Sequence, residues 1–406
     1  MHPSVFVIVL CCAFAAEKIH SAPEPIWLVS GPRELHPAIA DLARTRQAEG
    51  FDVRISANPP HQAIAECGRP PDYLLILGDA LLGGDASPRW ASATRHSSLY
   101  RWRAVQPETD AADPLWADLN KDGHPEFPVG RIPARTPEDI AKVVAKTLAF
   151  ENRELTPSDL GLPIWGGTPA YGNLLDEGAT TVLLSTVRKY APAWSEPWMI
   201  FGNPRSPLSA DGVSQPLLFN RRLAGGGFIT AMIGHGSSRS FLSQMDSKGQ
   251  IEYGIGHARS LDGDRPSPPH VILACDCGRF ADAEQSLAET LLFASAGPVN
   301  VVAATTESHP LTNYYSALAL LDELDGGHVR FGDYWQASQN TAWRTKKRLT
   351  EMLLKNAEGA LEAEINIPKL KSDHLLMYAL LGDPATRLPS MEPLDLEVRP
   401  DGDGWI

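Results

Sequence analysis

Short apolar runs alternating with helix-like segments constrain this chain more than any other feature. "PIWLVS" (25–30), "FDVRIS" (51–56) and "DYLLILGD" (72–79) read as strands, and the segments between them read as helices, as in "ELHPAIADLARTRQAEG", which stops on Gly50. Strand, helix and strand in repetition builds a parallel sheet with helices on its faces. A further helix is expected at Thr136-Pro137-Glu138-Asp139, where threonine suits the N-cap, proline the first turn and the acids the helix dipole. Its Ile140, Val143, Val144 and Leu148 make one apolar stripe. This closes a smaller N-terminal α/β unit over residues 24–151.

After the polar connection "ENRELTPSDL" the pattern restarts. Strands are expected at 162–167, 196–202, 228–236, 269–278 and 299–308, with helices around "DEGATTVLLSTVRKYA", "PLLFNRRLAGGG" and "AEQSLAETLLFAS". Helical segments are expected to follow from "NYYSALALLDEL" to "ALLGDPATRLP". The larger unit spans 152–390, and 391–406 is an acidic tail.

A formal net charge of -13 and the lack of any Lys/Arg-rich run remove the electrostatic footprint of a nucleic-acid or anionic-membrane binder. The apolar run Val5 to Ala16, with Ala13-Phe14-Ala15 as a small-x-small cleavage point, reads as a signal peptide over 1–16 and predicts a secreted or periplasmic protein. The run is too short to span a bilayer, and no later stretch is long enough. Of the five cysteines, Cys11 and Cys12 leave with such a signal, and Cys67, Cys275 and Cys277 remain. Three thiols without framework spacing exclude a disulfide scaffold and suggest that one is retained for chemistry.

In an open parallel sheet, ligands bind beyond the carboxyl ends of the strands. "FITAMIGHGSSRS" delivers His235 to that edge, and "VILACDCGRF" delivers Cys275 from the next strand along the chain. A cysteine attacks as thiolate, and a neighbouring histidine can take its proton and later return it to a leaving amine. Glycines at 234 and 236 let backbone approach closely, and the amides of Gly236 and Cys275 are candidates for an oxyanion hole. Two other readings stand beside this one. Either residue alone is more often an inert core cysteine or a satisfied polar histidine, and Cys275, Cys277 and His235 together are three of the four ligands that a zinc site needs.

"GHGS", followed some forty residues later by "ACDCGRF", resembles the His-Gly and Ala-Cys-x-x-Gly-x-Phe motifs of the gingipain-type cysteine peptidases of the caspase-like clan. "LILGDA", "DLNKDGHPEFPVGRIPARTPEDI" and "YALLGDPATRLP" resemble other landmarks of that family, in the same order. The resemblance implies a caspase-like three-layer fold, a peptide or protein substrate, Cys275 as nucleophile and His235 as general base, with Cys277 a bystander. It implies hydrolysis of peptide bonds; a transpeptidase using the same dyad, or an inactive binding or assembly module, are the alternatives. The chain also departs from the pattern, since Trp165 stands where gingipains carry an acid that assists the histidine, so a dyad without a third member is expected. Asn173 falls where the arginine-specific members carry a carboxylate, which removes the physical basis of arginine specificity. Asp176, Glu177, Thr306 and Glu307 are the other candidates for the substrate pocket, each with a solvated helix or loop position as the alternative.

"DLNKDGHPE" places Asp118, Asn120 and Asp122 at alternate positions with Gly123 to turn the chain, a spacing that can aim three oxygens at a hard cation. Val129 rather than a glutamate stands twelfth, so this is not an EF-hand, although Glu126 is a further oxygen donor. An Asx-rich turn is the alternative. Gingipain-type enzymes carry structural calcium, so the resemblance implies Ca²⁺ here, with a role in stability. No organic cofactor is implied.

Overall fold

In a computed structural model, described for residues 23–80, 89–99, 109–167, 173–212, 214–246, 249–348, 350–352, 366–390, 400–401 and 404–405, the apolar runs pair edge to edge. The signal-like segment lies outside the described residues, as does most of the tail. Ten strands share one sheet: β1 (Ile26–Ser30), β2 (Asp52–Ser56), β3 (Tyr73–Leu77), β4 (Val129–Ile132), β5 (Gly161–Gly166), β6 (Glu196–Phe201), β7 (Thr230–Ile233), β11 (His270–Leu273), β12 (Val301–Ala304) and β13 (Tyr378–Leu381). Their order is β6-β5-β7-β11-β12-β13-β4-β3-β1-β2, and every pairing is parallel except β12 with β13. The two halves that the sequence divides near residue 151 are consecutive blocks of this sheet, joined where β13 meets β4.

Strands covered on both faces are largely apolar, and β1, β3, β11 and β12 are buried throughout, with Ser30 and His270 the polar residues among them. Successive residues then serve opposite layers. Ile272 and Ala303 pack on one face with Ile140 and Val143 of α3 (Pro137–Glu151), Phe219 of α5 (Gln215–Ala224) and Leu287 and Leu291 of α7 (Leu287–Phe293). Val271, Leu273 and Val302 pack on the other with Ala317 and Leu320 of α8 (Pro310–Asp322), Tyr334 of α9 (Phe331–Arg344) and Leu376 of α10 (Ile367–Met377). The result is a helix-sheet-helix sandwich of three layers. α3 starts as its sequence dictates: Thr136 caps Asp139 N while Asp139 answers the Thr136 amide, a capping box.

One expectation fails. "YALL" was expected within a helical stretch and is instead β13, antiparallel to β12 and parallel to β4. A four-residue apolar run carries no period that separates strand from buried helix, so only its neighbours decide.

Candidate active site

The site forms where β7 and β11 end side by side. They pair in parallel with Ile233 opposite Leu273, and the Gly234 amide donates to Leu273 O at 3.2 Å. His235 and Cys275 are each two residues beyond that last pair. Parallel neighbours lie about 4.8 Å apart, so equal offsets from a shared register bring the two residues to adjacent places on one edge.

At Gly234 the chain leaves the main sheet and enters a three-stranded antiparallel flap, β8 (His235–Ser237), β9 (Ser240–Asp246) and β10 (Gly249–Gly254), with His235 opposite Leu242. His235 is half-buried, and its Nε2 is shielded from solvent without a hydrogen-bond partner among the described residues. Gly236 runs against the cysteine loop: a Cβ there would sit 2.4 Å from Cys275 O and 2.6 Å from Cys277 Sγ, so only glycine permits the approach. After Cys275 the chain turns through Asp276 at φ 61°, whose amide donates to Thr306 O at 3.0 Å.

Cys275 is half-buried, not sealed. Its Sγ donates to Ser308 O at 3.4 Å, and Ser308 Oγ lies 3.9 Å from the same sulfur. Burial pushes the thiol upward, and the carboxylates of Asp276 and Glu307 add repulsion, against donation from Ser308 to the sulfur, which favours the thiolate. The hydrogen-bond partner of the resting sulfur is Ser308. Cys277 is fully buried, and burial pushes its thiol well up, which makes it inert as a nucleophile. Among the described residues no three His, Cys, Asp or Glu side chains cluster as a metal site, so the cysteines and His235 are not brought together as ligands.

Trp165 is a core residue, completely buried against Phe219, Phe241 and Tyr253. Asn173, Asp176 and Glu177 fall among the first five residues of α4 (Asn173–Tyr190), and their side chains lie outside the described ones. Thr306 is fully buried, with its hydroxyl unpartnered among the described residues, whereas Glu307 is exposed near the sulfur. Sequence reasoning stopped one residue short, since Ser308 touches the sulfur and was not singled out. Its one sequence signal was its place at the end of the run 299–308, on the same sheet edge.

The Asp118 loop closes on its own amides. Asp118 Oδ2 accepts from Gly123 N (3.2 Å), Asn120 Oδ1 from Asp122 N (2.9 Å), and Asp122 Oδ1 from His124 N (2.8 Å). Glu126 accepts from the amides of Leu119 and Asn120. Asp118 Oδ1 is shielded and without a hydrogen-bond partner among the described residues. Asn120 Oδ1 and Asp122 Oδ1 each accept one amide and keep a lone pair, so with Asp118 Oδ1 the oxygens present fit a hard cation in number and kind.

Solved structures share this architecture. Gingipain R, an Arg-specific cysteine proteinase, superposes with a TM-score of 0.62 at 15% identity, covering 93% of this chain and 81% of that one. The complex of RgpB pro- and mature domains from Porphyromonas gingivalis gives 0.63 at 16% identity, with 93% and 82% covered. A structure described as a protease gives 0.65 at 12%, with 94% and 82% covered. At such identities the likeness shows the fold alone, a gingipain-like caspase fold. No curated protein matches the sequence. The family model for peptidase family C25 matches residues 21–389, nearly the whole chain, and the chain belongs to that family, whose members are cysteine peptidases.

Proposed function

We propose that this protein is an exported cysteine endopeptidase in which Cys275 is the nucleophile and His235 the general base and acid. The observation that supports the reading is the shared register of β7 and β11, whose last pair, Ile233 with Leu273, stands two residues before each of them. In the cycle His235 takes the Sγ proton and the sulfur bonds to the scissile carbonyl carbon. The amides of Gly236 and Cys275 hold the oxyanion. Collapse breaks the C–N bond, and His235 protonates the departing amine. Water, deprotonated by His235, then attacks the thioester, which releases the acid and restores the thiol. An amine in place of water would make the same acyl-enzyme a transpeptidase. Export rests on the apolar run from Val5 to Ala16. A structural Ca²⁺ at the Asp118–Asp122 turn belongs to the proposal as a stabiliser and takes no part in the chemistry.

A second reading, a catalytically silent binding module, is favoured by one feature: the resting sulfur bonds Ser308 rather than His235. The two separate in one experiment on the full chain, a peptide-library cleavage assay run beside iodoacetamide labelling read by peptide mass spectrometry. The peptidase reading expects cleavage that Cys275→Ala abolishes and His235→Ala lowers by about 10²–10⁴-fold in kcat/KM. It also expects Cys275 to label at least tenfold faster than the buried Cys67. Equal labelling with no cleavage establishes the binding module.

A further inference from the structure

Behind Cys275 runs a buried chain of three side chains from three elements. Tyr378, the first residue of β13, donates its phenol to Asn313 Oδ1 at 2.8 Å. Asn313, in α8, donates Nδ2 to Ser308 Oγ at 2.8 Å and lies 3.4 Å from Leu273 O. Ser308 Oγ is 3.9 Å from Cys275 Sγ. All three are buried, and none belongs to the nucleophile, base or oxyanion machinery described above.

Donor and acceptor inventory gives this chain a direction. Leu273 O can only accept, so the nitrogen of the Asn313 amide must face it, which turns Oδ1 toward the phenol. The same nitrogen donates to Ser308 Oγ, so the hydroxyl hydrogen has to point elsewhere, and the acceptors in reach are the sulfur and the Tyr378 phenol oxygen, of which the sulfur gains the more once it is a thiolate. Tyr378 is buried, which pushes its phenol up and keeps it a donor. Ser308 thus offers a partner for each state of the nucleophile: its carbonyl accepts from the thiol, and its hydroxyl donates to the thiolate.

We propose that Ser308, oriented by Asn313 and Tyr378, is a positioning residue that stabilises the Cys275 thiolate as its proton leaves. This rests on the reading of Cys275 as nucleophile. It supplies on the sulfur side the support that the missing acid, replaced by the core residue Trp165, does not give on the histidine side. The Ser308 hydroxyl acts against Asp276 and Glu307, whose charges oppose ionisation, with the Cys277 thiol and the Tyr378 phenol close by and His235 the base.

The test is the pH dependence of iodoacetamide alkylation of Cys275 in the full chain, read by peptide mass spectrometry beside kcat and KM. Ser308→Ala is expected to raise the alkylation midpoint by about one pH unit and to lower kcat at neutral pH about tenfold with KM unchanged, since one unit is a tenfold change in thiolate. Ser308→Thr, which keeps the hydroxyl, is expected to retain the wild-type midpoint. Asn313→Leu, close in volume and uncharged, removes the donor that orients the Ser308 hydroxyl, and is expected to raise the midpoint in the same direction as Ser308→Ala. It decides the matter if Ser308→Ala melts too low to assay. A wild type that cleaves peptides, with midpoints unmoved in the folded variants, overturns this proposal and leaves the peptidase reading standing. A wild type that neither cleaves nor labels at Cys275 faster than at Cys67 brings down both.

Discussion

Glu289 is a carboxyl group with no route to water. It is fully buried in the first turn of α7, where Oε2 accepts from Ser286 N at 2.7 Å and Ser286 Oγ at 2.8 Å, while Oε1 has no partner among the described residues. Burial, with a smaller contribution from the neighbouring Asp79, pushes its pKa from 4.5 to about 8, against the Ser286 bonds and Arg135. The folded protein therefore keeps a proton that the unfolded chain releases. Its contribution to stability is complete below about pH 4.5 and is lost as pH rises through about 8. Thermal melts at pH 5, 6.5 and 8 are expected to show a Glu289→Gln variant with a flatter decline than wild type; parallel declines would assign the slope to other groups. Legibility at this scale divides by sequence distance. His235 and Cys275 are visible in the chain because each ends an apolar run and is followed closely by glycine. Ser308, Asn313 and Tyr378 are not, because their roles come from contacts across 33 and 65 positions that no local pattern encodes.

Elements announce themselves when they carry their own start and stop. α3 does so through Thr136 and Asp139, and the turn at Asp118 through its alternating oxygens. What that turn binds is not written in its spacing, because the same Asp and Asn side chains close Asx turns as readily as they ligate a cation. The calcium proposal has Asp118 Oδ1 as its oxygen without a hydrogen-bond partner among the described residues, beside two turn oxygens that each already accept an amide. The expected outcome is a rise of a few degrees in melting temperature when calcium is returned to chelated protein, absent in Asp118→Ala. Superimposable melts with and without calcium would remove the ion from the proposal. β13 was illegible for the opposite reason: "YALL" is apolar at every position and lacks a cap, so its strand character comes from the two edges that it fills.

At the scale of the molecule, one buried guanidinium holds the two blocks of the sheet together. Arg46 reaches Glu151 and Asp383, each at 2.7 Å and each pair fully buried, and it also bonds Glu49. Asp383 in turn accepts from Trp27 Nε1 at 2.9 Å, and its carbonyl accepts from Asn300 Nδ2 at 2.9 Å, so it touches both halves. Removing the cation leaves two carboxylates buried without their counter-charge. Arg46→Met is expected to cost about 3–5 kcal/mol in urea unfolding, and a loss under 1 kcal/mol would show that the acids find other partners. None of this was legible, because strand order and long-range ion pairs do not follow from the order of segments along one chain. β13 carries a last implication, for synthesis. The strand that closes the gap between β12 and β4 comes from residues 378–381, so every growing polypeptide passes through a stage with two half-sheets, each ending in a strand whose backbone N–H and C=O groups are unpaired on one side. Such borders invite pairing with another nascent molecule, and a holdase that shields them until that late segment emerges would set how much of this protein a cell can make.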